Sequence, residues 1–152
     1  MYACGLRISE AVSLEPGHFN RQQHTLSVIG KGNKQRLLPV PEPVLKVLRQ
    51  AWLSHRNRQW IFASSDHGPH LHVRTLRNAF DAACQQVGLE GFTPHSLRHA
   101  YATRLMEQGV EVRVVQILLG HASIHTTEVY THLSEPIRRQ LTDLLDRTMV
   151  GL

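Results

Sequence analysis

The sequence predicts a mainly α domain with one small antiparallel β-sheet, an α+β arrangement in a single unit. Apolar residues recur at three- and four-residue spacing in stretches spread along the 152 residues. A glycine-bracketed turn joins two short β-prone runs. Threonine–proline and terminal-glycine signals mark where helices begin and end.

Ile8, Ala11 and Val12 sit at helical spacing behind Ser9 and predict a short helix over 8–14. Thr25–Ile29 and Arg36–Val40 read as two strands joined through Gly30-Lys31-Gly32-Asn33-Lys34, a hairpin signal. Pro39 then belongs near a strand end or a sheet edge. Val44, Leu45, Val47, Leu48, Ala51 and Trp52 stripe the next helix. Trp60-Ile61-Phe62-Ala63 reads as a brief strand, and 64–72 as a loop. The helix over 73–87 should turn Leu76, Ala79, Phe80 and Ala83 inward and stop at Gly88.

Thr93 is an N-cap with Pro94 in the first helical position, opening a helix that runs to Gln108 and stops at Gly109. Another helix covers 111–119 and closes at Gly120. Ser123 caps a short helix carrying Tyr130. Ile137, Leu141, Leu144 and Leu145 give the last helix an apolar face.

A hydrophobic fraction of 41% and a charged fraction of 19% describe a globular chain that buries a core rather than a disordered one. No apolar run approaches the ~20 residues that span a bilayer, and no signal peptide is read at the start. Two cysteines, Cys4 and Cys84, are too few for a disulfide framework and point to a reducing interior. Seventeen Lys and Arg against twelve Asp and Glu give a net +5, which favours a polyanionic partner. The chain reaches Arg7 with no supporting element before it. That predicts an internal start or a missing upstream part.

The chemistry gathers in the string Thr93-Pro94-His95-Ser96-Leu97-Arg98-His99, followed by Leu119-Gly120-His121 and Tyr130. His95 and Arg98, three residues apart, are expected on one helix face. Unpaired N–H groups and the positive dipole end at that helix start favour a phosphate. Arg7 and Arg98 could each place a bidentate fork on one phosphate, neutralising charge that grows in a pentacoordinate transition state. Lys31, on a tight turn, can protonate a leaving oxygen. Tyr130 is the nucleophile candidate. A phenol with a pKa near ~10 needs cations or a base to ionise, and Arg7, Arg98, His95 and His121 would supply both. Each of these residues taken singly is also an ordinary surface or core-edge side chain.

Eleven histidines invite a metal reading. His95 and His99 stand at i, i+4, but Ser96 occupies the position that H-E-x-x-H reserves for glutamate. His67, His70 and His72 read as a loop, so no metal site is expected.

Gly5-Leu6-Arg7-Ile8-Ser9-Glu10, Gly30-Lys31-Gly32-Asn33-Lys34, His95-Ser96-Leu97-Arg98-His99, Leu119-Gly120-His121 and Tyr130-Thr131-His132 together resemble the tyrosine recombinases of the phage-integrase and Xer type. Five separated motifs fall in the family's order over nearly the whole chain. The resemblance implies a recombinase catalytic-domain fold and metal-free, cofactor-free DNA cleavage and rejoining. It gives Arg7 and Arg98 the phosphate, Lys31 the leaving 5′-oxygen, and His95 proton transfer around the nucleophile. His121 would hydrogen-bond the scissile phosphate, and Tyr130 would form the 3′-phosphotyrosyl link.

Double-stranded DNA is the implied partner, with Lys34, Arg36, Arg74 and Arg77 expected to grip its backbone. A tetramer on DNA is implied, and the helix over 134–146, with Ile137, Leu141 and Leu144 along one side, either docks on a neighbouring subunit or packs onto its own domain. The implied location is cytoplasmic, of bacterial type.

The resemblance departs at the front. Residues 1–152 would be the catalytic domain, truncated at its amino-terminal side and without the core-binding domain that clamps the far side of DNA. The alternative is therefore a DNA-binding remnant that keeps the site and lacks turnover. A histidine-rich metal-binding protein is the reading from another class.

Overall fold

The computed structural model describes residues 1–30, 35–65, 67–120 and 135–148, with side chains in the last helix described from Gln140 to Arg147. Among these residues six α-helices surround a three-stranded antiparallel sheet. The helix α1 spans Ile8–Val12. Glu10, its third residue, turns its carboxylate back to accept the Arg7 backbone N–H at 2.7 Å, which fixes the helix start. A 3-10 turn, Pro16–His18, leads into β1, Phe19–Asn20, a strand that the residue pattern had not suggested.

Strand β2 is Thr25–Ile29 and β3 is Gln35–Pro39, paired so that Leu26 faces Leu38 and Val28 faces Arg36. The expected hairpin is thus present, and Pro39 ends an edge strand, where its missing N–H costs no ladder bond. The two-residue period puts Leu26, Val28, Arg36 and Leu38 on the buried face. That face meets Tyr101, Leu105, Leu118, Leu141 and Leu145 in one core. Burying a leucine as fully as Leu38 or Leu118 (both 0% exposed) contributes about 1.5–3 kcal/mol.

Helix α2, Glu42–His55, leans Val44, Leu45, Leu48 and Trp52 on the core. No strand forms over 60–63. Asn57, itself buried, takes the Gln59 and Trp60 N–H groups on Oδ1 at 3.0 and 2.9 Å and donates Nδ2 to the Ser65 and Gly68 carbonyls at 3.1 Å each. Those backbone groups are used in a loop, leaving only an isolated bridge between Ala63 and His70.

Helix α3, Val73–Gln86, is capped by His72, whose Nδ1 accepts the Arg74 N–H at 3.1 Å. Its inner stripe differs from expectation. Val73, Leu76, Phe80 and Cys84 are half-buried, whereas Ala79 and Ala83 are exposed.

Helix α4, Pro94–Glu107, opens at Thr93, whose N–H donates to the Ser96 hydroxyl at 3.1 Å. Helix α5, Val112–Leu119, ends on Gly120 in the left-handed region at φ +66°. Helix α6, Glu135–Thr148, buries Leu141 and Leu145 on this chain's own sheet, and Asp146 accepts the first N–H of α2, from Glu42, at 2.9 Å. Leu141 is 3% and Leu145 1% exposed, so of the two placements expected for this helix they take the one on their own domain, and the Ile137 side chain lies outside the described residues. The period that makes the stripe apolar is equally satisfied by the edge of β3.

Candidate active site

Three arginines from three parts of the chain converge on one carboxylate and on one helix end. Glu10, in α1, is the carboxylate. Arg36 forks onto it, Nη1 to Oε1 at 2.9 Å and Nη2 to Oε2 at 2.7 Å. Arg7 adds Nη1 to Oε1 at 2.9 Å besides its backbone N–H. Arg98 approaches to 4.0 Å. The helix end is that of α5, whose last carbonyls lack helical partners and carry the negative end of the dipole. Three successive carbonyls are taken in turn: Leu118 by Arg36 Nε at 3.0 Å, Leu119 by Arg98 Nη2, and Gly120 by Arg7 Nη2 at 3.1 Å. Arg98 Nη1 also donates to the Gly5 carbonyl.

Two glycines make this arrangement possible. Gly5 holds φ +60°, and a Cβ there would lie 2.7 Å from the Tyr101 ring. Gly120 combines φ +66° with the Arg36 side chain at 3.1 Å. Any other residue at either place would meet both backbone strain and a filled space.

The electrostatics follow from burial. Glu10 is driven upward by burial, but hydrogen bonds from Arg36 and Arg7 and the Arg36 charge outweigh that and hold its carboxyl at about 2. Arg98 is lowered to about 10, first by burial and then by the nearby Arg7 charge, with Glu10 opposing, and it stays protonated at neutral pH. The Arg36 and Arg98 side chains are 3% and 5% exposed, while Arg7 is 39% exposed and faces solvent. Burial pushes the Cys4 thiol up to about 11, so it is an inert core side chain.

The expected site residues fall into groups. Arg7 and Arg98 come together, as the sequence motifs suggested. His95 lies in the first turn of α4 and is exposed, whereas Arg98, three residues on, is buried. Tyr101 and Leu105, farther along α4, are buried with Arg98. His95 instead borders an open groove of about 850 Å³ with Tyr2, His99 and Arg104. Arg36 is corrected: its guanidinium is consumed by Glu10 and Leu118 and is not on a DNA-facing surface. Arg74 and Arg77 are exposed near the start of α3. Lys31, Lys34, His121 and Tyr130 lie outside the described residues.

Glu10 was missed by sequence reasoning. The available signal was a glutamate at the third helical position, three residues after Arg7. For Arg36 it was the alternation that places it on the face of Leu38. His70 packs edge-on against Trp60 at 5.0 Å and His72 caps α3, so two of the loop histidines serve the fold. Among the described residues no group of three or more His, Cys, Asp or Glu gathers to hold a metal.

Comparison with known proteins bears on the family and the fold. The profile of the Phage integrase family matches residues 1–136. Tyrosine recombinase XerD of Lacticaseibacillus casei is 42% identical over 142 residues, covering 88% of this chain and 48% of that protein. Tyrosine recombinase XerC of Chlamydia muridarum is 36% identical over 151 residues, covering 93% and 47%. Among solved structures, the integrase from mycobacterium phage Brujita superposes with a TM-score of 0.76 at 30% identity, over 96% of this chain and 48% of that one. The XerH site-specific recombinase bound to palindromic difH substrate, a post-cleavage complex, gives 0.70 at 26% identity, over 92% and 42%. The chain spans about half the length of the curated relatives it matches.

Proposed function

The chain belongs to the phage integrase family of tyrosine recombinases, and from that premise we propose that it cuts and rejoins DNA through a 3′-phosphotyrosyl intermediate. The observation that carries the reading is the charge balance of the arginine cluster. Among the described residues three guanidinium groups share one carboxylate, which leaves two positive charges in excess where Arg36 and Arg98 are buried. Carbonyl dipoles soften that excess without neutralising it. A cluster so built favours an anion arriving from solvent on the Arg7 side, and a phosphodiester meets both the charge and the fork geometry.

In the proposed reaction the Tyr130 oxygen attacks phosphorus while the bond to the 5′-oxygen breaks. Lys31 gives that oxygen its proton. Arg7 and Arg98 hold the non-bridging oxygens as charge accumulates on them, His121 adds a further hydrogen bond, and His95 handles the phenolic proton. A 5′-hydroxyl of a second duplex then displaces the tyrosine. The ester retains the energy of the broken bond, so no nucleotide is consumed. Arg74, Arg77 and Lys34 would contact the backbone of double-stranded DNA, and self-association would occur on that DNA.

A second reading is a DNA-binding remnant that keeps the site residues without turnover. One assay separates the two. A nicked suicide duplex should give a covalent adduct on a denaturing gel, and Tyr130→Phe should abolish it. Duplex binding with no adduct from the parent chain would leave the remnant reading in possession.

A further inference from the structure

Arg36 is closed off from ligands, being 2% exposed with Nε, Nη1 and Nη2 all directed at Leu118 and Glu10. We infer that Arg36 is a positioning residue, which sets the places of the Arg7 and Arg98 guanidinium groups without touching DNA. This rests on reading those two as the phosphate clamp. Both groups that Arg36 holds are shared with them: Glu10 with Arg7 and, at 4.0 Å, with Arg98, and the end of α5 with both. Arg7 precedes α1 and Arg98 lies in α4, whereas Arg36 stands on β3. It is the tie between the sheet and the clamp.

A lysine cannot replace it, because one ammonium does not reproduce a bidentate fork with a third coplanar donor. Gly120 confirms how closely the arginine is fitted. A Cβ there would lie 3.1 Å from Arg36 Cδ and Nη1 and 3.2 Å from Nε. Gly120→Ala therefore presses on the same guanidinium from the other side while leaving its charge in place.

The test uses the 152-residue chain carrying Arg36→Lys or Gly120→Ala, each at conditions where urea titration finds it folded. Three quantities are read: affinity for an uncleavable duplex across salt, single-turnover adduct formation on the suicide duplex at saturating protein, and the ¹⁵N-detected guanidinium Nε–Hε resonances of Arg7 and Arg98 without DNA. Affinity and its salt slope should stay within twofold of the parent. Adduct formation should fall on the order of 30- to 100-fold, as a small misplacement of reacting groups costs, and both resonances should move. An affinity loss with a salt slope reduced by about one would instead make Arg36 a backbone contact and overturn the inference. So would a folded Arg36→Lys that cleaves within threefold of the parent. If Arg36→Lys does not fold, Gly120→Ala carries the comparison. If the parent itself forms no adduct, the recombinase reading fails separately, and unmoved Arg7 and Arg98 resonances would sink the positioning role.

Discussion

Replacing Glu10 by glutamine removes, among the described residues, the one negative charge between three guanidinium groups while keeping the side chain's shape. Two routes give the magnitude. A carboxyl held at about 2 against its ordinary 4.5 corresponds to about 3 kcal/mol of stability at neutral pH. Removing one partner of a buried ion pair costs about 3–5 kcal/mol, because the remaining charges stay desolvated. The two agree. Expected, then, is a loss of about 3 kcal/mol at pH 7, or about 6–12 °C in Tm for a domain of this size.

The pH dependence sharpens the test. The folded-state value lies below the unfolded one, so acid protonates the unfolded chain first. The stabilisation is complete above pH 4.5 and drains away as pH falls to about 2. Urea unfolding of parent and Glu10→Gln at pH 7, 5, 4 and 3 should show a gap that narrows below pH 4.5. A gap under 1 kcal/mol at pH 7, or one that stays constant down to pH 3, would refute the account of Glu10 as the counter-charge.

The Gly5 backbone is equally constrained. Gly5→Ala meets the Tyr101 ring at 2.7 Å and a left-handed φ of +60°, so it should cost at least 2 kcal/mol in urea titration, with Arg98 losing a fixed carbonyl partner. Arg74→Ala with Arg77→Ala removes two exposed cations near the start of α3 and should weaken duplex binding while lowering the log–log salt slope by about two. Filter-binding titrations between 50 and 200 mM salt decide that, and an unchanged slope would place both residues off the DNA. Adduct formation should be insensitive to these two replacements once protein saturates the duplex.

Local signals read the helices well because their causes are local. Thr93 and Pro94 open α4, and Gly120 closes α5, through dihedral preference and unpaired backbone groups that need no distant partner. The β2–β3 hairpin was legible for the same reason. The 60–63 segment was not, since its fate depends on Asn57 reaching backbone groups up to eleven residues away. Arg36 was misassigned to a surface because composition reads arginine as solvent-facing. The alternation of β3 hinted at the buried face, and Glu10 together with the Leu118 carbonyl makes that burial tolerable.

The order of motifs and the basic character were determined by residue identity and spacing alone, and the pairing of Arg7 with Arg98 was implied by the family resemblance that those motifs carry. Which guanidinium faces solvent was decided in three dimensions. So was the choice of α6 to lie on its own sheet, where Leu141 and Leu145 complete the core. The physical reason is the same for both. Periodicity says that a face is apolar or that a cation is present, whereas the identity of the partner depends on which carbonyls, carboxylates and side chains folding brings within a few ångströms.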